Sequence, residues 1–520
     1  MVVPNQIDPP MGDAVAAVGD GVGGGDGVGG RAFLGHPRGL FLLFFVELWE
    51  RFSYYGMRAI LVFYLTKHFL FAQDHAYAVY GAYTSLVYIT PVIGGYLADR
   101  YLGARKAVFV GGVFIVIGHL LIAGFEGRVG EQGLYLNGFY LGLAAIVVGT
   151  GFLKANVSVL VGQLYARDDI RRDSAFSIFY MGINTGAWLG PIFIGILGET
   201  VGWSYGFGAA GIGMLLGLAV FILFRKALHG AGPPPSAQWL AARAFAGLSR
   251  EVLIYLGAIA AVGVSWWLIR SQDMVGLLLI VFSVLTVSYI VYRSVWTLPP
   301  VDRDRIFAAL FLVALSPLFW ALFEQTGSSL NVFTDERVDR AMFGWEIPAS
   351  VFLSVNSAFI ILLAPVFAWG WNWLARRRLE PNVPLKFGVG LVLVGLGFLV
   401  LVAGAAGGGA LTPAIFIILL YLFHSMAELC FSPIGLSSMT RLPIASMTGL
   451  IMGTWFLSTA AGNFIAALIA QTTGGAGGGP DTILHVYANI AWFSMAVGVV
   501  VMALSPFVIR LMHLDTIGDS

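Results

Sequence analysis

Residues 47–58 read ELWERFSYYGMR and lie within a span-length segment near 38–66. Charges at membrane depth cost at least about 2.5 kcal/mol each on insertion scales, so they mark function by default. Counted from Glu47, residues Glu50, Arg51, Tyr54, Tyr55 and Arg58 fall at offsets 3, 4, 7, 8 and 11, one helical stripe. Leu48, Trp49, Phe52 and Met57 take the other faces. Two carboxylates and two guanidinium groups on one face must look into a polar cavity. A cluster among headgroups at a helix end, or a structural knot of ion pairs, is the other way to accommodate them.

The rest of the chain says that the cavity lies in a membrane. Of 520 residues 58% are hydrophobic and 11% charged, and mean hydropathy is +0.84, outside the range of soluble domains. The 29 Lys and Arg against 28 Asp and Glu leave a net +1, without the basic excess of a nucleic-acid surface. A single cysteine, Cys430, excludes a disulfide framework or a CxxC site, and the eight histidines include no HExxH. No metal and no cofactor is therefore expected. Residues 1–30 lack the basic and apolar regions of a signal peptide, and their Gly, Val, Asp and Pro predict a disordered tail.

Segments long enough to span fall near 38–66, 77–99, 104–124, 134–161, 173–198 and 203–224. A polar break at Arg225–Arg250, with Pro233, Pro234 and Pro235, precedes spans near 251–269 and 274–296. Six more follow near 304–330, 347–374, 385–406, 411–439, 446–470 and 483–512. The reading is an all-α membrane protein: a tail at 1–37, a six-helix bundle at 38–228, a linker with two additional helices at 229–302, and a second six-helix bundle at 303–514. Arg100, Arg105, Lys106, Arg167, Arg171, Arg172, Arg225, Lys226 and Arg376–Arg378 all fall on one side of this arrangement. By the positive-inside bias both termini are expected in the cytoplasm, in a bacterial inner membrane.

Two six-helix halves suggest a transporter whose halves rock around a midplane site, although hydropathy alone equally permits a channel or an enzyme scaffold. The loop GGYLADRYLGARK at 94–106 resembles the signature of the major facilitator superfamily. Its glycines let helix ends approach, and Asp99 can pair with the basic residues across the loop. The counterpart in the second half is reduced to Arg376–Arg378.

Other polar residues recur at membrane depth. Lys154 is flanked by Thr150 and Ser158 one turn away, and either seeks a carboxylate or snorkels. Trp320, Glu324 and Ser328 form an i, i+4, i+8 stripe, as do His424, Glu428 and Ser432. Asn184 and Asn356 offer donor and acceptor together, which suits a peptide bond or a helix contact. His424 reads as packing.

The stretch Glu47-Leu-Trp-Glu-Arg-Phe-Ser-Tyr-Tyr-Gly56 resembles the ExxERFxYYG motif of the proton-dependent oligopeptide transporter family. FYMGIN at 179–184, LFWALFEQ at 318–325, ELCFSPIGL at 428–436 and MGTWFLS at 452–458 resemble that family too, over about residues 38–510. The resemblance implies the major facilitator fold, with two extra helices as in bacterial members, and a symporter importing di- and tripeptides, with the proton as coupling ion. It implies proton coupling by Glu47, Glu50, Arg51, Lys154 and Glu324, with Glu324 and Lys154 paired between the halves until Glu324 is protonated. It implies that Arg58 and Lys154 hold the peptide carboxylate and Glu428 its ammonium. Asn184 and Asn356 would meet the backbone, Ser432 would join the substrate site, and Tyr55, Tyr88, Trp320 and Trp455 would form side-chain pockets.

Departures bear on breadth and stoichiometry. Gly81 follows Tyr80 where animal members carry a histidine, Phe152 and Ala155 replace the usual Gly and Pro around Lys154, and Phe323 stands where some bacterial members have a second Glu. The same fold with another small substrate (nitrate, an amino acid or a peptide-like drug) is the alternative. A membrane enzyme or sensor is a third, against which no nucleophile motif, metal-ligand set or soluble catalytic domain is visible.

Overall fold

A computed structural model describes residues 33–514 apart from 167–168, 170, 343, 408–410 and 475–479. The tail expected at 1–37 lies outside the described residues up to 32. Residues 33–37, however, are ordered: Phe33 and His36 bridge each other, and the buried His36 ring has Nδ1 2.9 Å from the Tyr165 hydroxyl. Next to them Arg171 bonds the Gly35 carbonyl and Asp169, and its hydrogen bonds hold the Asp169 carboxyl down to about 2.

Six helices come first: α1 (Arg38–Phe63), α2 (Gln73–Leu97), α3 (Ala104–Gly124), α4 (Leu134–Gln163), α5 (Arg172–Ile196) and α6 (Trp203–Phe224). A short α7 (Ala237–Ala241) lies in the polar connection before α8 (Arg250–Arg270) and α9 (Gln272–Thr297). Then follow α10 (Pro300–Phe323), α11 (Ser329–Arg337), α12 (Ser354–Arg376), α13 (Val383–Ala405), α14 (Ala414–Arg441), α15 (Ala445–Gly474) and α16 (Pro480–Met512). Among the described residues twelve helices are long and apolar enough to cross a membrane. Helices α1 and α2, at 26 and 25 residues, have the length but not that composition. For α1 the reason is its charge stripe.

One boundary differs from the sequence expectation. The span near 304–330 is broken: α10 ends at Phe323, a 3₁₀ turn covers Glu324–Gly327, and α11 restarts at Ser329. The run Gln-Thr-Gly-Ser-Ser at 325–329 explains this, since hydroxyl side chains compete for backbone groups and Gly disfavours helix. The stripe Trp320, Glu324, Ser328 is therefore not one continuous helix face.

Glycine governs how closely the helices approach. Gly182, Gly186 and Gly190 of α5 lie at i, i+4, i+8 against α1, where added Cβ atoms would meet Phe44, the Leu48 carbonyl and the Phe52 carbonyl. Between α3 and α4, a Cβ at Gly111 would lie 2.5 Å from the Gly149 oxygen, and one at Gly118 would lie 2.6 Å from that of Gly142. Gly388 and Gly498 bring α13 and α16 together in the same way, each Cβ falling 2.7 Å from the other's carbonyl oxygen.

The 94–106 loop ties the first six helices to the connection that follows. Gly103 adopts φ +76° against Pro233, where a side chain would be strained and would clash. Arg105 donates from Nε and Nη2 to the Ala231 carbonyl at 2.9 and 2.6 Å. Lys106 pairs with Glu251 of α8 at 2.5 Å, and not with Asp99 as the loop sequence suggested.

The two sets of helices, α1–α6 and α10–α16, meet at the face remote from these basic loops. Packing of α2 on α15, α5 on α12 and α1 on α11 joins them. Lys67–Asp335 at 2.5 Å and Gln73–Glu336 at 2.9 Å close that face. Among the described residues no comparable packing joins α4 or α5 to α14 or α15 toward the basic face.

Overpacking a closed helix interface costs about 1–3 kcal/mol. Gly149→Val should therefore lower the thermal midpoint in detergent, while Gly124→Val, whose Cβ meets nothing within 4 Å, should not. Equal midpoints for the two variants would contradict the close approach of α3 and α4.

Candidate functional site

The α5 glycines hold α1 so that its charge stripe turns inward. Glu47, Glu50, Arg51 and Arg58 are all nearly inaccessible, from 1% to 5% exposed. The Arg51 Nε stands 2.8 Å from an oxygen of Glu47 and 2.8 Å from one of Glu50. The Nε–H donates to Glu47, and Glu50 is held by charge alone. Among the described residues Glu47 Oε2 and both Glu50 oxygens accept no hydrogen bond. Such a group carries a net negative charge unless a proton or another cation is near.

Lys154 of α4 is that cation. It lies within electrostatic reach of Arg51, Glu50, Glu47 and Glu324 without a direct ion pair among the described residues. Its Nζ sits 3.9 Å from the centroid of Tyr88, a cation–π contact. Lys154 and Tyr88 remain partly exposed in mid-helix, so they border interior space rather than packed core.

One turn beyond Tyr54 and Tyr55, Arg58 donates from Nε to the Tyr80 hydroxyl and from Nη2 to Glu324. This pair joins the two halves of the chain and is buried, with Arg58 at 4% and Glu324 at 2% exposure. The partner expected for Glu324 was Lys154; in this structure it is Arg58. The break after α10 sets Glu324 at the end of a helix, where it meets α1. Beside it Asn331 of α11 donates to the Ala59 carbonyl at 2.8 Å, and Gln325 donates to the carbonyls of Ala321 and Ala466 at 2.9 Å each.

Across the interior, Asn356 of α12 donates to Ser425 of α14 at 2.9 Å, one turn before Glu428. Glu428, Ser432 and Trp320 are half-buried, and the Trp320 Nε1 has no acceptor. Asn184 donates from Nδ2 to the Tyr180 carbonyl at 3.0 Å. Tyr55 lies 6.0 Å from the Arg58 guanidinium. Trp455 stands apart from this group: it is 4% exposed and packs between Phe431 and Phe387, at 6.0 and 6.3 Å between centroids. His424 is buried among Phe323 and Phe398, as packing requires.

The polar groups form a layer with unequal ends. Toward the remote face they are sealed by Arg58–Glu324, Asn331–Ala59 and Lys67–Asp335. Toward the basic face Ala155, Ser158 and Val159 of α4 are half-exposed, and Cβ atoms at Gly449 and Gly453 of α15 would meet nothing within 4 Å. Among the described residues the packing is therefore looser toward the basic face than at the sealed end. Tyr80 belongs to the site although sequence reading passed over it. Its signal was available: Tyr80, Thr84 and Tyr88 share one face of α2.

A profile of the POT family matches residues 105–478. The chain is 40% identical over 490 residues to the uncharacterized transporter YclF of Bacillus subtilis, covering 93% of this chain and 96% of that protein. It is 36% identical over 463 residues to the peptide transporter YePEPT of Yersinia enterocolitica, covering 85% and 89%. A crystal structure of a mutant of peptide transporter POT with alafosfalin is similar to it at a TM-score of 0.80 and 37% identity, covering 93% of this chain and 97% of that one.

Removing one member of a buried ion pair costs about 3–5 kcal/mol, because the other charge is stranded. Glu324→Gln and Arg58→Met should each destabilise the protein, and the double variant should lose less than the two losses added. A double-mutant cycle on thermal stability measures this, and simple additivity would show that the two side chains do not interact.

Proposed function

The chain belongs to the POT family, a family of transporters and not of enzymes, and from that premise we propose that it is a proton-coupled symporter importing di- and tripeptides by alternating access. The observation that carries this reading is the Arg58–Glu324 pair at the sealed end of a charged interior site. All fourteen long helices cross the membrane on this reading: α1–α6 and α10–α16 (with α10 and α11 as one broken span) form two six-helix bundles, and α8 and α9 are additional. The division is the tail 1–37, shortened by its ordered last residues, then 38–228, 229–302 and 303–514. The basic face is cytoplasmic, both ends of the helical array lie there, and the membrane is a bacterial inner membrane. The structure is then the inward-open state.

A short peptide carries a carboxylate, an ammonium and amides between them. Cations on α1 and α4 (Arg58 and Lys154) suit the first, and Glu428 on α14 suits the second. Asn184, Asn356 and Ser432 offer donors and acceptors to the amide. Tyr55, Tyr88 and Trp320 line space for side chains, and Trp455 contributes through the core cluster that it shares with Phe387 and Phe431. Anchors for both termini on opposite halves limit substrate length and draw the halves together.

Coupling follows from competition. While Glu324 is ionised it occupies Arg58. A peptide carboxylate gains Arg58 when Glu324 takes a proton, so the two ligands enter together. In the α1 cluster, Glu47 and Glu50 share Arg51 and have oxygens to spare, which suits a second protonation step balanced by Lys154. Each proton moved down 100 mV contributes about 2.3 kcal/mol, about 50-fold in accumulation. The alafosfalin held by a solved relative supports a site for small peptide-like molecules.

In liposomes, labelled dialanine should accumulate only with an inward proton gradient. Glu324→Gln should lose this at least about tenfold while keeping counterflow exchange. Gradient-driven uptake unchanged in that variant would remove Glu324 from coupling, and uptake of nitrate or free amino acids in place of dialanine would overturn the substrate.

A further inference from the structure

A cavity of about 490 Å³ lies away from the site just described, between the α8–α9 pair and the outer surfaces of α2 and α4. Its walls are almost wholly apolar. Thr90 and Ser265 contribute the hydroxyls, and Thr90 already bonds the carbonyls of Leu86 and Val147 at 3.1 and 3.0 Å. A space so lined does not hold ordered water, which needs polar partners. It is not filled from within either: Gly257, Ala258 and Ala261 of α8 stand along it, and a Cβ at Gly257 would meet nothing within 4 Å.

The shape is that of a slot. On α8 the lining residues run from Ile254 to Leu268 at helical spacing, about 21 Å of helix, against a hydrocarbon thickness of about 30 Å. At its basic-face end the same stripe continues one turn to Arg250, four residues before Ile254. On α2 it continues past Leu97 to Tyr101. These ends meet: Tyr101 stacks on Trp239 at 4.8 Å, and the Arg250 guanidinium lies 4.5 Å from the Trp239 centroid. Arg250 has no carboxylate partner among the described residues, whereas its neighbour Glu251 is engaged by Lys106 and Tyr255. An apolar slot of this length ending in an aromatic–cation cluster at the membrane interface matches one molecule type, with a long hydrocarbon chain and an anionic head.

We infer that the slot binds one acyl chain of an anionic phospholipid, with its phosphate at Arg250. The chain fills the gap between the α8–α9 pair and the first six helices and packs on Phe152, two residues from Lys154. The two additional helices thereby form one wall of a lipid site, which does not depend on what the protein transports.

The test is native mass spectrometry of the full-length protein, delipidated in detergent and titrated with phosphatidylglycerol or phosphatidylcholine. One phosphatidylglycerol should bind at least tenfold more tightly than phosphatidylcholine. Gly257→Leu and Ala261→Leu, which fill the slot, should each reduce that binding at least tenfold. Gly263→Leu, on the outward face of α8, should retain it. Arg250→Gln should equalise the two lipids. The inference is overturned if both slot-filling variants bind as the unaltered protein does, if Gly263→Leu loses lipid equally, or if the slot-filling variants change only the oligomeric state, which would assign the slot to a second copy.

Discussion

The ion pair between Arg58 and Glu324 is the contact on which the closed end of the molecule depends. Its members come from opposite halves and have almost no access to water. In such a place neither charge can persist alone, because desolvation is repaid only by the partner. The pair is therefore conditional: it holds while both groups are ionised and loses its basis when one is neutralised. The neighbouring bonds are of another kind. Asn331 to Ala59 is neutral and insensitive to protonation, and Lys67 to Asp335 is partly exposed and screened. The closed end thus combines a buried contact that depends on charge with a neutral hydrogen bond and an exposed ion pair, and neutralising Glu324 removes the buried one.

That arrangement requires α1 to lie in one rotational setting. A helix turns by about 100° per residue, so a small rotation would carry Glu50 or Arg58 out of the interior and into lipid. The α5 glycines remove this freedom by bringing the α5 backbone against the Leu48 and Phe52 carbonyls. The glycine ladder meets the α1 face that adjoins the charge stripe, with the Arg51 Cβ at its edge, and so fixes where the stripe points. The same logic explains Gly81. A side chain there would run into Ala467 of α15, so the position reserved for a histidine in animal members is here a packing surface.

Much of this was legible in the sequence, for a physical reason. Periodicity of 3.6 places Glu47, Glu50, Arg51 and Arg58 on one face whatever surrounds the helix, and lipid forces continuous apolar spans that hydropathy detects. Partners across the interior are not encoded that way. Glu324 was expected to meet Lys154 and instead meets Arg58, because the choice depends on where the broken helix ends and how far apart the halves stand. Of the basic residues that the loop offers Asp99, Arg105 turns to the Ala231 carbonyl and Lys106 reaches to α8, some 145 residues on in the chain. Trp455 shares the aromatic character of Trp320, but only packing decides that one borders the interior and the other lies within a core cluster.

On the proposed function the break after α10 acts as a joint. Its backbone is not frayed: Gln325 takes two carbonyls, and Ser329 donates to Gln325 at 2.6 Å and accepts from Tyr487 at 3.0 Å. The nine residues of α11 are thus a rigid piece joined to α10 through a short turn that begins at Glu324. That piece carries Asn331, Asp335 and Glu336, each of which touches the first half. Glu324 therefore sits at the joint of the element that seals the site. Loss of its pairing acts on the whole of α11 rather than on one side chain, which is how a single proton could move contacts two turns away.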